Sequence, residues 1–137
     1  MSRKISASLR KAAAQRAGYR CEYCRLPAGD SYYGFHVDHI ISLKHGGDTA
    51  LDNLACCCPD CNRNKGTDLG TFLDTESELV RFFNPRKDDW NHHFLMDESG
   101  MIHHKTSVGA ATVKIFLFNH PDRIIERRLL WRLGLLP

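Results

Sequence analysis

The sequence predicts an α+β fold whose core is held by two cysteine pairs. Two Cys-x-x-Cys pairs are separated by 33 residues, and a strand, loop, strand and helix pattern spans this gap and the second pair. A basic helix precedes the first pair, and segments with helical or strand-like periodicity follow the second. We therefore expect a core with its N-terminal helix at residues 1–70. A mixed, mainly helical extension at residues 71–137 is expected to pack on it as one unit.

Length and composition are those of an ordinary globular protein. The chain has 137 residues, of which 42% are hydrophobic and 26% are charged, with a formal net charge of +3. This length suffices for one hydrophobic core. The sequence shows no run of about 18 apolar residues and no apolar segment typical of a secretion signal. We therefore expect no membrane partner, and a cytoplasmic location in a bacterial or phage-type setting.

The first helix is predicted to run to about Ala17, with Ser6 or Ser8 as its N-cap and Gly18 at its end. Basic residues, and no acidic ones, occur in the first twenty positions. They are Arg3, Lys4, Arg10, Lys11, Arg16 and Arg20. Such a block suits contact with phosphate groups, and a solvated helix face is the alternative.

The middle of the chain reads as strand, loop, strand and helix. Aromatic and β-branched residues predict a first strand over Tyr32–Leu43. A loop at Gly46-Gly47-Asp48 leads to a short second strand at Leu54–Cys57. Pro59 suits the first turn of a helix, and Gly66 suits its end.

The first half of the extension is predicted to hold a helix and a hairpin. The capping-box signature Thr75-x-x-Glu78 predicts a helix that ends near Phe83, shortly before a proline. A hairpin is expected over Trp90–His103, with its turn at Ser99-Gly100. Both elements are predicted from local signals alone.

The second half of the extension is predicted to be helical. Val108–Phe118 fits a helical face, although its β-branched residues would also suit a strand. Pro121–Leu133 is expected to form an amphipathic helix with a packed apolar face. Its arginines are expected to lie in solvent or against a DNA backbone. The apolar residues are Ile124, Ile125, Leu129 and Leu133, and the arginines are Arg123, Arg127, Arg128 and Arg132.

The four paired cysteines predict a zinc site. Each Cys-x-x-Cys turn can place two thiolates on one metal ion, and two such turns complete a tetrahedral Zn²⁺ site. The ligands are Cys21, Cys24, Cys58 and Cys61. Four thiolates leave no open position, so this zinc is expected to be structural. Cys56 and Cys57 lack the two-residue spacing to Cys61, and we interpret both as structural residues.

Motifs between and within the cysteine pairs resemble the HNH endonuclease family. The matching segments are Phe35-His-Val-Asp-His-Ile-Ile-Ser42, Gly46-Gly47, Asp52-Asn53-Leu54 and Cys58-Pro-Asp-Cys-Asn-Arg-Asn-Lys65. The resemblance covers about residues 16 to 68. It implies a ββα-metal core and a metal-dependent DNA endonuclease, a phosphodiester hydrolase that leaves 5′-phosphate and 3′-hydroxyl ends.

The resemblance also assigns roles to individual residues. It makes His39 the general base, and an imidazole is a suitable proton acceptor near neutral pH. Asp38 and Asn62 correspond to the ligands of one catalytic cation, and their oxygen donors suit Mg²⁺ or Mn²⁺. Asn62 stands where the family name denotes a histidine. Asn53 matches the middle asparagine, which would pin the loop and orient His39.

DNA is the expected partner, in duplex form. Arg63 and Lys65 follow the metal motif on the same helix and are expected to contact phosphates, together with Arg16 and Arg20 from the N-terminal block. The sequence leaves open whether two copies pair, which would convert nicking into double-strand cleavage. The DNA sequence recognised is not encoded in any visible motif.

Two other functions compete with the nuclease. A zinc module that binds nucleic acid without cutting it would explain the cysteines and the basic helix, but would leave Asp38, His39 and Asn62 unexplained. A zinc deaminase is suggested only by the order of His36, Asp38 and a cysteine pair, and it lacks the glutamate that this chemistry needs.

Overall fold

The fold is seen in a computed structural model that describes residues 4–28, 35–75 and 77–136. The chain divides into two units, Met1–Thr67 and Asp68–Pro137. The expected packing of the extension on the core therefore stays a prediction. None of the helices in the described ranges has the length and apolarity that a bilayer crossing requires.

The first unit begins with helix α1, Ala7–Arg16. Ser6 is its N-cap, because its hydroxyl accepts a hydrogen bond from the Leu9 amide, and Gly18 follows the C-cap with a positive φ of 64°. The expected start and end of this helix are thus confirmed. Its inner face packs against the sheet, where Ile5, Ala13 and Leu54 form a buried cluster.

Two short antiparallel strands and a helix form the centre of this unit. Strand β1 is His36–His39, strand β2 is Leu54–Cys57, and helix α2 is Pro59–Lys65. In the register of β1 and β2, Asp38 lies opposite Ala55 and His39 opposite Leu54. All four residues of β2 are buried, which explains its wholly apolar sequence.

The first strand is shorter than the sequence predicted. Residues 32–34 of the expected strand lie outside the described residues, and β1 ends at His39 rather than Leu43. The side chain of Asn53 replaces a partner strand at this point, because it bonds both the amide and the carbonyl of Ile41. Residues Leu43–His45 and Leu51–Asn53 then form two 3₁₀ turns.

In the described residues of the second unit there are two further strand pairs and three helices. Strands β3, Gly70–Thr71, and β4, Val80–Arg81, pair antiparallel. Helix α3, Trp90–His93, precedes the hairpin of β5, Phe94–Met96, and β6, Ile102–His104. Helix α4 is Ser107–Phe116 and helix α5 is Pro121–Arg132. The core of the second unit is aromatic. The centroid of the Phe94 ring lies 5.0 Å from that of Trp90 and 5.4 Å from that of Phe83.

Three of the elements predicted for the extension are confirmed, and one predicted helix is wrong. The hairpin and the two last helices are present, although Trp90–His93 is helical rather than part of the hairpin. The helix expected from Thr75 to near Phe83 is wrong among the described residues, since Val80–Arg81 is a strand. The Phe82 amide bonds the Leu69 carbonyl, so pairing with a distant segment outweighs the local capping signal.

The expected faces of α5 are found only in part, because Arg132 is exposed as predicted whereas two other arginines are buried. Arg123 and Arg127 are 8% and 1% exposed, whereas Ile125 and Leu129 are each 58% exposed. The guanidinium of Arg123 donates to the Phe116 carbonyl at the end of α4, where the helix dipole favours a positive charge. Arg127 donates to backbone carbonyls in the same way. Their hydrogen bonds to carbonyls explain why these two arginines are buried despite their charge.

Candidate functional site

The four paired cysteines converge on one buried cluster. The sulfur atoms of Cys21, Cys24, Cys58 and Cys61 all lie within 4.8 Å of one another. Each pair forms a tight turn in which a backbone amide points at a sulfur. The Cys24 amide lies 3.4 Å from the Cys21 Sγ, and the Cys61 amide lies 3.4 Å from the Cys58 Sγ.

This cluster fits a structural zinc ion. A zinc–sulfur distance of about 2.3 Å in a tetrahedron places the sulfur atoms about 3.8 Å apart. The Cys24 and Cys58 Sγ atoms are 3.7 Å apart. Burial raises the pKa of the Cys21 and Cys61 thiols, so a bound cation is what would keep these sulfurs ionised at neutral pH. With four sulfurs filling the coordination sphere, such a zinc holds the fold together and offers no reactive position.

The two remaining cysteines lie outside this cluster. Burial raises the pKa of Cys56 to about 11, and burial together with the negative charge of Asp38 raises that of Cys57. Both are therefore neutral thiols that pack as small apolar groups. The Cys56 backbone also anchors the first cysteine turn, because its amide donates to the Glu22 carboxylate at 2.9 Å.

A second group of polar residues meets at the end of β1. Asp38, His39 and Asn62 line one cavity of about 330 Å³ in the first unit. The His39 Nδ1 lies 3.8 Å from the Asp38 Oδ1, and the Asp38 side chain is 43% exposed. Neighbouring strand residues ordinarily point to opposite faces. The end of the strand at His39 allows both side chains to line the same cavity.

Asn62 reaches this cavity from helix α2. Cys58 is the N-cap of α2 and Pro59 its first residue, so Asn62 lies about one turn into the helix. Its Oδ1 lies 3.8 Å from the Cys57 Sγ. The same short helix therefore carries one sulfur of the cysteine cluster, Cys61, and one oxygen donor of the cavity.

Asn53 holds the loop that follows β1. Its Nδ2 donates to the Ile41 carbonyl at 2.8 Å and to the Asp48 carbonyl at 2.9 Å. Its Oδ1 accepts from the Ile41 amide at 3.0 Å. Gly47 lies against this anchor, where an added Cβ would be 1.8 Å from the Ile41 oxygen and 2.7 Å from the Asn53 Nδ2.

Sequence reasoning missed three residues at this site. Thr49 contacts the imidazole directly, since its Oγ1 lies 2.9 Å from the His39 Nε2. Lys4 and Arg10 line the same cavity as Asp38 and His39. The two cations belonged to the basic N-terminal block, but no motif distinguished them from its other members. Thr49 had no signal beyond its position after the Gly-Gly loop.

The expected DNA contacts have different surroundings. Arg63 is exposed on α2 and forms an ion pair with Asp60 at 2.6 Å. Arg16 donates to the Leu51 and Leu54 carbonyls at 2.8 and 2.7 Å, which ties α1 to β2. Lys65 is 6% exposed. Arg20 is partly buried beside its backbone bridge to residue 27.

The first unit is thus a ββα unit that contains a four-cysteine cluster and, beside it, the cavity of Asp38, His39 and Asn62. Comparison with known protein families agrees with that class. The family model described as HNH endonuclease matches residues 21–68, so the chain carries an HNH endonuclease domain over these residues.

A curated relative extends the similarity beyond this domain. The chain is 30% identical over 104 residues to a protein named Septu protein PtuA from Bacillus mycoides (strain KBAB4). The match covers 69% of this chain but only 14% of the relative. It therefore relates this chain to a small part of a much longer protein.

Proposed function

We propose that this protein is a metal-dependent DNA endonuclease that uses His39 as its general base. The observation that carries the proposal is the meeting of Asp38, His39 and Asn62 in one cavity that Lys4 and Arg10 also line. Phosphodiester hydrolysis needs a base, oxygen ligands for a divalent cation and positive charge near the phosphate. The cavity offers side chains of each kind.

In this proposal His39 takes a proton from water. When its Nε2 carries the ring proton and donates to Thr49, the Nδ1 lone pair remains available on the side of Asp38. Water that loses its proton to Nδ1 attacks the phosphorus atom, and the bond to the 3′ oxygen breaks. The products are a 5′-phosphate and a 3′-hydroxyl, once the leaving oxygen has taken a proton from solvent water and His39 has returned its own proton to solvent.

Asp38 and Asn62 would hold the catalytic cation. A carboxylate and an amide oxygen suit Mg²⁺ or Mn²⁺, which keep part of their water shell. When bound, such a cation would neutralise phosphate charge and stabilise the leaving oxygen. Asn53 acts indirectly. It fixes the loop that carries Thr49, and Thr49 in turn orients His39.

Positive side chains would hold the DNA strand by its phosphates. Lys4 and Arg10 at the cavity, with the exposed Arg63 on α2, are the contacts we propose. Phosphate contacts of this kind orient the DNA without reading its sequence, and they weaken as salt concentration rises. The contacts expected for Arg16, Arg20 and Lys65 stay predictions.

A plasmid cleavage assay tests the proposal. Zinc-loaded protein is incubated with supercoiled plasmid and Mg²⁺, Mn²⁺, Ni²⁺ or Zn²⁺, and DNA binding is measured in parallel. We expect cleavage by the unsubstituted protein and a loss of about 100-fold or more in His39→Ala, with binding retained. His45→Ala is the matched control, because His45 is an exposed histidine of the neighbouring 3₁₀ turn.

The non-catalytic alternative has a distinct outcome. If the unsubstituted protein binds DNA but cleaves it with none of the four ions, the chain is a zinc-containing nucleic-acid-binding module. Equal cleavage by His39→Ala would instead show that another group supplies the base.

A further inference from the structure

A second cavity continues from the proposed catalytic cavity along β1. It has a volume of about 440 Å³ and shares Arg10, His36 and Val37 with the cavity that holds Asp38 and His39. Phe35, at its far wall, precedes Asp38 by three residues, a span of roughly 10 Å along an extended chain. A strand of DNA with one phosphate in the first cavity would thus have a neighbouring nucleotide beside the second.

The lining of this second cavity combines apolar, aromatic and cationic side chains. Tyr19 and Phe35 supply rings, and the small side chains of Ala7 and Ala14 on one face of α1 leave the space between helix and strand. Arg10 and Lys11 add positive charge from the same helix face. Flat rings beside cationic side chains are the combination by which proteins bind unpaired bases of a nucleic-acid strand.

Tyr19 gives a second reason to regard this cavity as a binding site. It follows Gly18 in the turn that ends α1, and its own φ is 56°, a left-handed conformation that favours glycine over tyrosine. Its amide donates to the Ala14 carbonyl at 3.0 Å, and the residue is 37% exposed. The protein therefore carries an exposed aromatic ring at a strained position on the wall of the cavity.

We propose that this second cavity binds one unpaired base of the DNA strand whose phosphate occupies the catalytic cavity. This inference rests on the proposed nuclease function and adds a substrate preference to it. A base inside the cavity is not paired, so single-stranded DNA, or a duplex with an unpaired or extruded base, is the preferred substrate. Charge complementarity supports this occupant, since Arg10 lies where the two cavities join and suits the phosphate between base and cleavage site.

Binding to two oligonucleotides of equal charge tests the proposal without cleavage. The zinc-loaded full chain is titrated, without Mg²⁺ or Mn²⁺, with a fluorescent single-stranded DNA and with an abasic strand of the same length. Phe35→Ala, Tyr19→Ala and Ala7→Leu, which fills the cavity from the exposed start of α1, are compared with the unsubstituted protein. We expect each variant to bind the base-containing strand about five- to 150-fold more weakly and the abasic strand unchanged.

The matched control is a leucine substitution outside both cavities. Gln15→Leu places the same leucine on an exposed position of α1 that lines neither cavity, and it should change neither affinity. Unchanged affinity for the base-containing strand in Tyr19→Ala and Ala7→Leu would overturn the proposal. An equal loss of affinity for the base-containing and the abasic strand would also overturn it. Such a result would mean that the substituted residues affect only charge or folding.

The two proposals can fail separately. Zinc content verifies that each variant is folded, and Tyr19→Ala and Ala7→Leu decide the result if Phe35→Ala loses its zinc. A protein that shows the base-dependent difference but never cleaves DNA contradicts only the nuclease. A nuclease that cuts normal and abasic strands alike, with the same affinity in all variants, contradicts only the base-binding cavity.

Discussion

The hydroxyl of Thr49 lies 2.9 Å from the Nε2 of His39, and it fixes an imidazole whose other nitrogen lies beside Asp38. A histidine can act as a base only through a nitrogen that carries no proton. By accepting a hydrogen bond from the Nε2–H group, Thr49 would keep the Nδ1 lone pair in the cavity. Thr49 is thus a positioning residue for the proposed base.

We predict that Thr49→Val lowers the rate of DNA cleavage roughly tenfold to 100-fold, because the ring loses its orientation and its preferred tautomer. Thr49→Ser, which keeps the hydroxyl, should restore most of the rate. Steady-state cleavage and DNA affinity are the measurements, and affinity should stay constant. Thr67→Val is the control, because Thr67 is exposed in the same unit. A Thr49→Val protein with full activity would remove Thr49 from the mechanism.

The Gly46-Gly47 pair offers a comparison within one loop. A Cβ at Gly47 would collide with the Ile41 carbonyl and the Asn53 amide, whereas a Cβ at Gly46 meets open space. Gly46 has a φ of 90°, so Gly46→Ala carries only backbone strain of about 1 kcal/mol. We predict that Gly47→Ala lowers the free energy of unfolding by about 2 kcal/mol or more. It should also lower the rate of DNA cleavage. Denaturant unfolding measures the stability of both variants. An equal decrease in the free energy of unfolding in Gly46→Ala and Gly47→Ala would contradict the collision at Gly47.

Loss of one cysteine of the cluster should unfold the first unit rather than only inactivate it. Zinc bound by four thiolates contributes on the order of 10 kcal/mol to folding, which is as much as the whole net stability of a typical small domain. We predict one zinc per chain in the unsubstituted protein, none in Cys24→Ser, and a partial loss of α-helical circular dichroism in that variant, because α1 and α2 belong to the first unit. Cys56→Ala is the control and should keep its zinc. A folded, zinc-free Cys24→Ser protein would show that the cluster is not structural.

Asp97 links stability to pH in the second unit. Hydrogen bonds from Ser99, and then from His103, lower its pKa to about 2. An unfolded aspartate has a pKa of about 3.9. A carboxylate with a lowered pKa stabilises the fold above the unfolded value and loses this effect as pH falls through the folded value. The contribution of Asp97 is therefore present above about pH 4 and disappears towards about pH 2.

We predict that Asp97→Asn lowers the free energy of unfolding by about 1 kcal/mol at pH 6, a modest figure because the side chain is 38% exposed. The difference from the unsubstituted protein should shrink as the pH falls below about 4. Tryptophan fluorescence during urea unfolding is a suitable measurement, because Trp90 and Trp131 both lie in the second unit. Glu98→Gln, an exposed change in the same turn, should have no such effect. A difference that does not depend on pH would exclude the carboxylate as its cause.

Local signals predicted the elements of the first unit well, with one error of length. Ser6, Gly18 and Pro59 act through hydrogen bonds and backbone angles within a few residues. As expected, Ser6 and Pro59 mark the starts of α1 and α2, and Gly18 marks the end of α1. Strand β1 is shorter than its β-branched sequence suggested. Its end depends on the side chain of Asn53, a residue distant in sequence, and no propensity of the strand itself encodes that contact.

The second unit shows why the remaining errors arose. The helix expected near Phe83 carries a sound local signal, but pairing of β4 with β3 provides hydrogen bonds that the signal cannot anticipate. In α5, hydropathy predicted that leucines face inward. The structure instead buries Arg127, whose guanidinium bonds the Gly100 carbonyl at 2.7 Å. Unsatisfied carbonyls in neighbouring segments are visible only once those segments have assembled.

The sequence by itself determined the cysteine cluster. It also determined the order of strand, strand and helix that carries Asp38, His39 and Asn62. Both follow from ligand spacing and turn residues, which act over short stretches of chain. Tertiary structure alone decided what surrounds the imidazole. Thr49 reaches His39 from the far side of the Gly-Gly loop, and Arg10 reaches the cavity from a helix that precedes β1 by twenty residues. Approaches of this kind depend on how separate elements pack, and packing is a property of the assembled chain rather than of any segment in it.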